Sequence, residues 1–420
     1  MRFIPRTLIA VVLTATTSMG CGRATPHPAP SNPAHPYVVL VSFDAFRHDY
    51  IDRFHPSAFV DIAARGIRAT ALVPSFPSKT FPNHYTLVTG LYPGHHGIVG
   101  NAFYDPARHS WFRNNDPVAA RDSSWYGGEP IWVTAERNGV RSGVFFWPGS
   151  EATIAGVRPS YMVPYNGKVP NATRVNGAIA WLRLPRADRP HLLLLYFSEV
   201  DDTTHEYGPD SPHTALAVHS MDRVLRQLRD SLAMLPFADS VNIVLVSDHG
   251  MSQIAPGHVV SIADLLVRGG VDTTHLQVSD NGPTISLWFN GDTARLVRAL
   301  AVLDAGLTHA LTYLRANTPL RWHLRDNARA GDLLAVADEG YVLKWRASDK
   351  APSAGAHGHD PALPDMQGIF LAAGPNVKPL GVIPAFENVN VYPFVAALLR
   401  LDRVPAVDGD LRVLAAALRQ

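Results

Sequence analysis

Residues 37–44, YVVLVSFD, form a continuous apolar run rich in β-branched residues that closes on a carboxylate. Such a run suits a strand buried on both faces of a parallel sheet. In open α/β sheets ligands bind beyond the carboxyl ends of the strands, so Asp44 is placed for a site and poorly placed for the core. Taken alone, Asp44 also fits as a helix cap or as a partner for Arg47. A second run of the same kind, residues 241–247 (VNIVLVS), leads directly into DHGM, which sets Asp248 and His249 at another strand end. Neighbouring strand residues point to opposite faces, so these two converge only if the chain turns, and Gly250 permits that turn. A cap followed by a surface histidine is the alternative. A third run, residues 191–197, precedes Asp201 and His205, whose i, i+4 spacing puts both side chains on one helical face. That arrangement serves chelation of one metal and an ordinary salt bridge alike. With helical spacing in residues 54–65 and 215–235, the alternation of strands and helices predicts an α/β fold around a central, mostly parallel sheet.

Between the first strand and the rest lies a polar stretch, residues 74–101, PSFPSKTFPNHYTLVTGLYPGHHGIVGN. Pro77 and Pro82 confine SKTF, and a helix is expected over residues 83–90, leaving Thr80 near its N-terminus. Amide groups and the helix dipole there favour an anion, either a threonine alkoxide or a bound phosphate. A threonine hydroxyl attacks at neutral pH only if a base or a metal strips its proton. Two readings of Thr80 therefore stand: capping residue, or nucleophile supplied by distant ligands. Asn101 closes the stretch with an amide able to donate to a phosphoryl oxygen as charge builds. Near the C-terminus, GAHGHD offers His357 and His359, with Gly355 and Gly358 freeing the backbone to bring an imidazole inward.

A net charge of +1 over 420 residues gives no electrostatic case for a stable nucleic-acid partner or an anionic membrane surface. Residues 1–21 have the layout of an export signal, with Arg2 and Arg6 before LIAVVLTA and small residues. Cys21, the single cysteine, follows Met19 and Gly20 as at a bacterial lipoprotein cleavage site, so a lipid anchor at Cys21 or plain secretion to the periplasm is expected. Residues 22–36, rich in Pro, Ala and His, read as a tether to a domain spanning residues 37–420. Residues 102–130 lack a clear period and read as irregular surface framing a cleft. Residues 259–350 shift to short strands around helices at 294–304 and 308–316, an inserted lobe. Oligomeric state has no signature in the sequence.

FDAFR, PSKTFPNHYTLVTGLYPGHHGIVGN, FWPGS, DDTTHEYGP, SDHGM, HGHD and FENVNVY occur in that order over roughly residues 37–400. This set resembles the nucleotide pyrophosphatase/phosphodiesterases of the alkaline phosphatase superfamily, bacterial type. The resemblance implies an alkaline-phosphatase-like three-layer sandwich with an inserted smaller lobe. It implies two Zn²⁺ ions, one held by Asp44, Thr80, Asp248 and His249, the other by Asp201, His205 and His357, which it selects over His359. Three aspartates and a Thr80 alkoxide would neutralise two such ions before substrate enters. It further implies that Phe81, Tyr165 and Tyr196 lie against the base of a nucleotide substrate, that Thr80 forms a phosphothreonine, and that nucleoside 5′-monophosphates are released. FFWPGS carries no Lys or Arg, whereas phosphomonoesterase relatives use such cations for the extra phosphate charge. The alternatives are a phosphomonoesterase, a lipid-headgroup phosphodiesterase using the aromatic residues for choline, and a non-catalytic surface-binding protein.

Overall fold

The computed structural model describes residues 35–346 and 352–419, so the expected export signal and nearly all of the tether lie outside the described residues. Tyr37–Phe43 forms a central strand of an eight-stranded sheet. From one edge to the other the order is Gly381–Ile383, Ile67–Ala69, Phe370–Ala373, Val241–Val246, Tyr37–Phe43, Leu192–Phe197, Ser142–Phe145 and Tyr161–Val163. Only Phe370–Ala373 runs against its neighbours; the remaining pairs are parallel.

The central strand shows why its sequence reads as an unbroken apolar run. Val38 and Leu40 enter the core on one face, while Tyr37, Val39, Val41 and Phe43 enter the core on the other. Each such buried aliphatic or aromatic side chain contributes about 1.5–3 kcal/mol relative to exposure. The first face packs against the helices Thr80–Thr89, Ile131–Arg137 and Val391–Leu398. The second packs against Ser57–Arg65, Asn171–Leu182 and Pro212–Ala233. The result is helices, sheet, helices: the three-layer α/β arrangement expected from the sequence.

Some local expectations needed correction. The helix expected over residues 83–90 runs over Thr80–Thr89, so Thr80 is its first residue. Pro82 is tolerated in that first turn because its missing N–H would have had no intrahelical partner. Residues 67–73 divide between two sheets, Ile67–Ala69 in the main sheet and Leu72–Val73 paired with Phe386–Glu387. Residues 102–130 are not irregular throughout: Ala102–Asp105 and Ser110–Arg113 form an antiparallel hairpin. Its Phe103 and Phe112 rings stack at 5.0 Å, so tertiary packing orders a segment without local periodicity.

The region after Val259 builds its own antiparallel sheet, ordered Gln277–Asp280, Thr284–Trp288, Leu333–Ala337, Ala310–Leu314, with its own apolar core around Ile262, Leu266, Ile285, Leu287, Leu303 and Leu333. The helix expected over residues 308–316 is the edge strand Ala310–Leu314. His309, in the left-handed region at φ 56°, stops helical continuation, and pairing with Leu333–Ala337 overrides the coincidental helical spacing of Leu311 and Leu314.

Within the main domain His96 is fully enclosed, its ring 3.0 Å from Thr86 Oγ1 and accepting from the Ile98 N–H at 3.1 Å. Burial pushes it from 6.5 down to about 3. The unfolded chain thus takes up a proton near pH 6.5 that the folded protein refuses. Stability from this group is fully present above pH 6.5 and falls as pH drops towards about 3, at ~1.4 kcal/mol per pH unit. Thermal midpoints measured from pH 7 to pH 4 should decline, and His96→Gln should make that decline shallower by one proton's worth. An unchanged slope in the variant would contradict the assignment.

Candidate active site

The carboxyl ends of three adjacent strands, Val241–Val246, Tyr37–Phe43 and Leu192–Phe197, open on one crevice. Register places Ser42 beside both Tyr196 and Val246, so the residues just beyond these positions emerge at one level. Asp44 follows its strand directly, its N–H donating to Phe197 O at 2.9 Å. Asp248 accepts from the Ala45 N–H at 3.3 Å, which ties the two strand ends together. The turn at His249 is held by Ser247, whose hydroxyl lies 2.8 Å from Phe46 O and 3.1 Å from His249 O. Gly250 is required there for a reason other than the one expected: its φ is not positive, but a Cβ would stand 2.2 Å from Asp365 O. Gly355 acts similarly, because a Cβ would lie 2.4 Å from Thr204 O. That close approach brings His357 against the helix Glu199–Tyr207, which carries Asp201 and His205.

Residues separated by more than 300 positions therefore meet. His357 Nε2 lies 3.1 Å from His205 Nε2 and 3.6 Å from Asp201 Oδ1. His249 Nε2 lies 2.9 Å from Asp248 Oδ2, 3.4 Å from Asp44 Oδ1 and 3.4 Å from Thr80 Oγ1. Among the described residues, ligand atoms converge in three groups, each within 4.8 Å: Asp201, His205 and His357; Asp44, Asp201 and His249; and Asp44, His84 and Asp248. Asp201 belongs to the first two, a sharing that spacing in the sequence does not reveal.

Each imidazole is oriented from behind. His205 Nδ1 donates to Gly355 O at 2.9 Å, His249 Nδ1 to Gly250 O at 2.9 Å, and His357 Nδ1 to Ser78 O at 2.8 Å. A carbonyl only accepts, so in the neutral rings the proton sits on Nδ1 and the Nε2 lone pair faces the crevice. Asp44 Oδ1, Asp201 Oδ1 and Asp248 Oδ2 are buried without hydrogen-bond partners. Lone pairs of two imidazoles at 3.1 Å and orphaned carboxylate oxygens are unfavourable unless a cation lies between them. The donor set, nitrogen and carboxylate oxygen, suits zinc.

The electrostatics agree. Burial, with Asp248 and Asp201 adding to it, raises Asp44 well above the ordinary carboxyl range. Burial alone would lower His249, but Asp248 outweighs it and raises the imidazole. His357 is held far below the usual histidine range by burial and by His249, so it stays neutral and ready to donate its lone pair.

Around this cluster lies a cavity of about 620 Å³ whose lining includes Thr80, Phe81, Asn101, Tyr165, Tyr196 and Arg121. Asn101 Oδ1 accepts from the Phe81 N–H at 2.9 Å, which fixes its amide and leaves Nδ2 free of any protein acceptor among the described residues. Tyr165 is 53% exposed, whereas Tyr196 is only 7% exposed, with its hydroxyl donating to Asp44 Oδ2 at 2.6 Å. Tyr196 thus meets the cavity mainly through its contact with Asp44. Arg121, the only guanidinium or ammonium in the lining among the described residues, is paired with Glu151 at 2.9 Å.

Two residues escaped the sequence reading. His84 lies one turn after Thr80, its Nδ1 2.9 Å from Thr80 O and 3.3 Å from Asp248 Oδ2, its Nε2 2.8 Å from Ser42 Oγ. With both nitrogens engaged it braces Asp248 and is not itself a free ligand. Placing the helix start at Thr80 would have exposed this i, i+4 relation. Lys79, 8% exposed, lies behind the Asp201 group, where burial lowers its ammonium to about 8.

Residues 38–360 match the family described as type I phosphodiesterase / nucleotide pyrophosphatase. The chain is 34% identical over 384 residues to a Schizosaccharomyces pombe pyrophosphatase/phosphodiesterase, covering 88% of this chain and 78% of that one. It is 33% identical to a Xenopus laevis bis(5′-adenosyl)-triphosphatase, covering 90% of this chain and 80% of that one. Among solved structures, murine ectonucleotide pyrophosphatase/phosphodiesterase 5, in an inactive threonine-to-alanine form with AMP, aligns with a TM-score of 0.85 and 32% identity, covering 91% of this chain and all of that one.

Proposed function

Because the chain belongs to the type I phosphodiesterase / nucleotide pyrophosphatase family, we propose that it hydrolyses phosphodiester or pyrophosphate bonds of nucleotides through a phosphothreonine at Thr80. The observation that carries this reading is Thr80 Oγ1 at the floor of the cavity, 3.4 Å from His249 and beside the convergent ligand groups. Two Zn²⁺ ions, one held by Asp44, Thr80, Asp248 and His249 and one by Asp201, His205 and His357, would supply the positive charge that acidifies the alcohol and offsets phosphoryl charge.

Thr80 Oγ1 forms a bond to phosphorus as the bond to the leaving alcohol or nucleotide breaks. Water then cleaves the threonine ester, restoring the hydroxyl and releasing a nucleoside 5′-monophosphate. Asn101, pinned through its carbonyl, presents its N–H to a phosphoryl oxygen. Phe81 and Tyr165 offer aromatic faces on which a base stacks, worth ~1–3 kcal/mol and tolerant of base identity. AMP in the solved relative and the bis(5′-adenosyl) substrate in the other relative's name support nucleotides as the substrate class. Among the described residues Arg121, the one lining cation, is already paired, which supports a diester over a monoester with its additional charge.

The test is a comparison on one preparation of an aromatic nucleotide diester with the matching phosphate monoester. A kcat/KM favouring the diester is expected; a preference for the monoester would overturn the reading. Tyr196→Phe should leave the fold intact but weaken metal affinity by about 10- to 100-fold, because Asp44 loses its orienting donor. Metal titration monitored by calorimetry checks this, and an unchanged affinity would assign Tyr196 to packing alone. Under the same proposal the enzyme works outside the cytoplasm, which the mass of the processed N-terminus would test.

A further inference from the structure

FENVNVY, residues 386–392, lies far from the converging ligands in sequence and supplies none of them, yet its Asn388 reaches the segment that delivers Thr80. Asn83, on the first turn of the Thr80 helix, is completely buried and bonds through its carboxamide to residues before Thr80 and to Asn388. Its Nδ2 donates to Pro77 O and to Lys79 O, both at 2.9 Å. Its Oδ1 accepts from the Ser75 N–H at 2.7 Å and from Asn388 Nδ2 at 2.9 Å. Two donors and two acceptor sites exhaust a carboxamide. Asn388 is itself completely buried, and its Oδ1 accepts from Ser75 Oγ at 2.9 Å. The helix begins without a side-chain cap at Lys79, and its Phe81 N–H goes to Asn101, so this network satisfies no helix N–H but ties the first turn to the residues that precede it. It sets the path of residues 75–80, and with it the place where Thr80 Oγ1 points.

We propose that Asn388, acting through Asn83, is a positioning residue that holds the Thr80 hydroxyl in line for attack. The inference rests on the phosphothreonine reading above and deepens it. A buried network that is fully satisfied admits one geometry, and loss of the Asn388 donor leaves Asn83 Oδ1 with the Ser75 N–H as its one partner and loosens that geometry. The consequence belongs to the chemical step: substrate contacts at Phe81, Tyr165 and Asn101 are untouched, while the nucleophile is displaced.

Asn388→Asp tests this with a near-isosteric change that replaces the donating NH₂ by an oxygen facing Asn83 Oδ1. A displacement on the order of 1 Å costs roughly 10²-fold in rate, so kcat should fall by about that factor while KM stays within about twofold. Zinc content per chain should match the parent enzyme. Asn242→Asp is the control: Asn242 is equally buried, bonded to Tyr37 O and Asn376 at the opposite end of the sheet, and its substitution should lower the thermal midpoint without lowering kcat. Should Asn388→Asp not fold, Ser75→Ala removes the Ser75 Oγ donor to Asn388 Oδ1 with less disruption and should give a smaller fall in kcat alone. In single-turnover quench experiments, phosphate bound to Thr80 should accumulate more slowly in the variant than in the parent. If the parent forms none, the covalent reading itself fails. If the parent forms it and Asn388→Asp forms it as fast, or if the loss follows zinc content or KM, the positioning role of Asn388 is overturned.

Discussion

Thr80→Ala is expected to lower diester turnover by roughly 10³- to 10⁶-fold, the range for removing a nucleophile that acts as a unit with its activating groups. The protein should remain folded. Thr80 is only partly buried, and its hydroxyl faces His249 at 3.4 Å. Metal content should stay near that of the parent, because Asp44, Asp248 and His249 persist on one side and Asp201, His205 and His357 on the other. Substrate should still bind, since Phe81, Asn101 and Tyr165 are unaltered. Rates near those of the parent, on metal-replete variant, would sink the covalent route.

Chelation of divalent metal should reduce diester hydrolysis to background, and added Zn²⁺ should restore it. The reason is charge. Without a cation, Asp44, Asp201 and Asp248 crowd together with three buried oxygens unpartnered. The site then relieves itself by taking up protons: burial with Asp248 and Asp201 raises Asp44, and Asp248 raises His249 against the opposing effect of burial. A metal must displace those protons, so affinity should weaken as pH falls and strengthen as pH rises until the raised groups are deprotonated. Calorimetric Zn²⁺ titrations in buffers of different ionisation enthalpy would count the protons released. Full activity in exhaustively chelated protein, verified by elemental analysis, would remove metal from the mechanism.

Thr80 illustrates how little of a helix start's surroundings is legible in the sequence. Its neighbourhood suggested an anion-friendly helix start, but the expected start three residues later concealed His84 beside Asp248 and Asn83 as the tie to residues 75–79. Tyr196 is a parallel case. The family resemblance implies a contact with the base and its apolar strand fits core packing as well, and register against Ser42 adds what neither gave, a hydroxyl on Asp44. Residues 308–316 failed for a different reason, since an edge strand paired on one side carries too weak an alternation to be distinguished from helical spacing.

The chain alone determined the α/β class and offered the carboxylates and imidazoles as candidates, because unbroken β-branched runs have few stable homes and polar groups at their ends are costly without a purpose. Only the tertiary structure decided which of these side chains meet, that Asp201 serves two of the ligand groups, which imidazole nitrogen faces the crevice and what holds Thr80 in place. Those relations join positions hundreds of residues apart through carbonyls, carboxamides and close backbone approaches at Gly250 and Gly355, contacts that leave no periodicity along the chain.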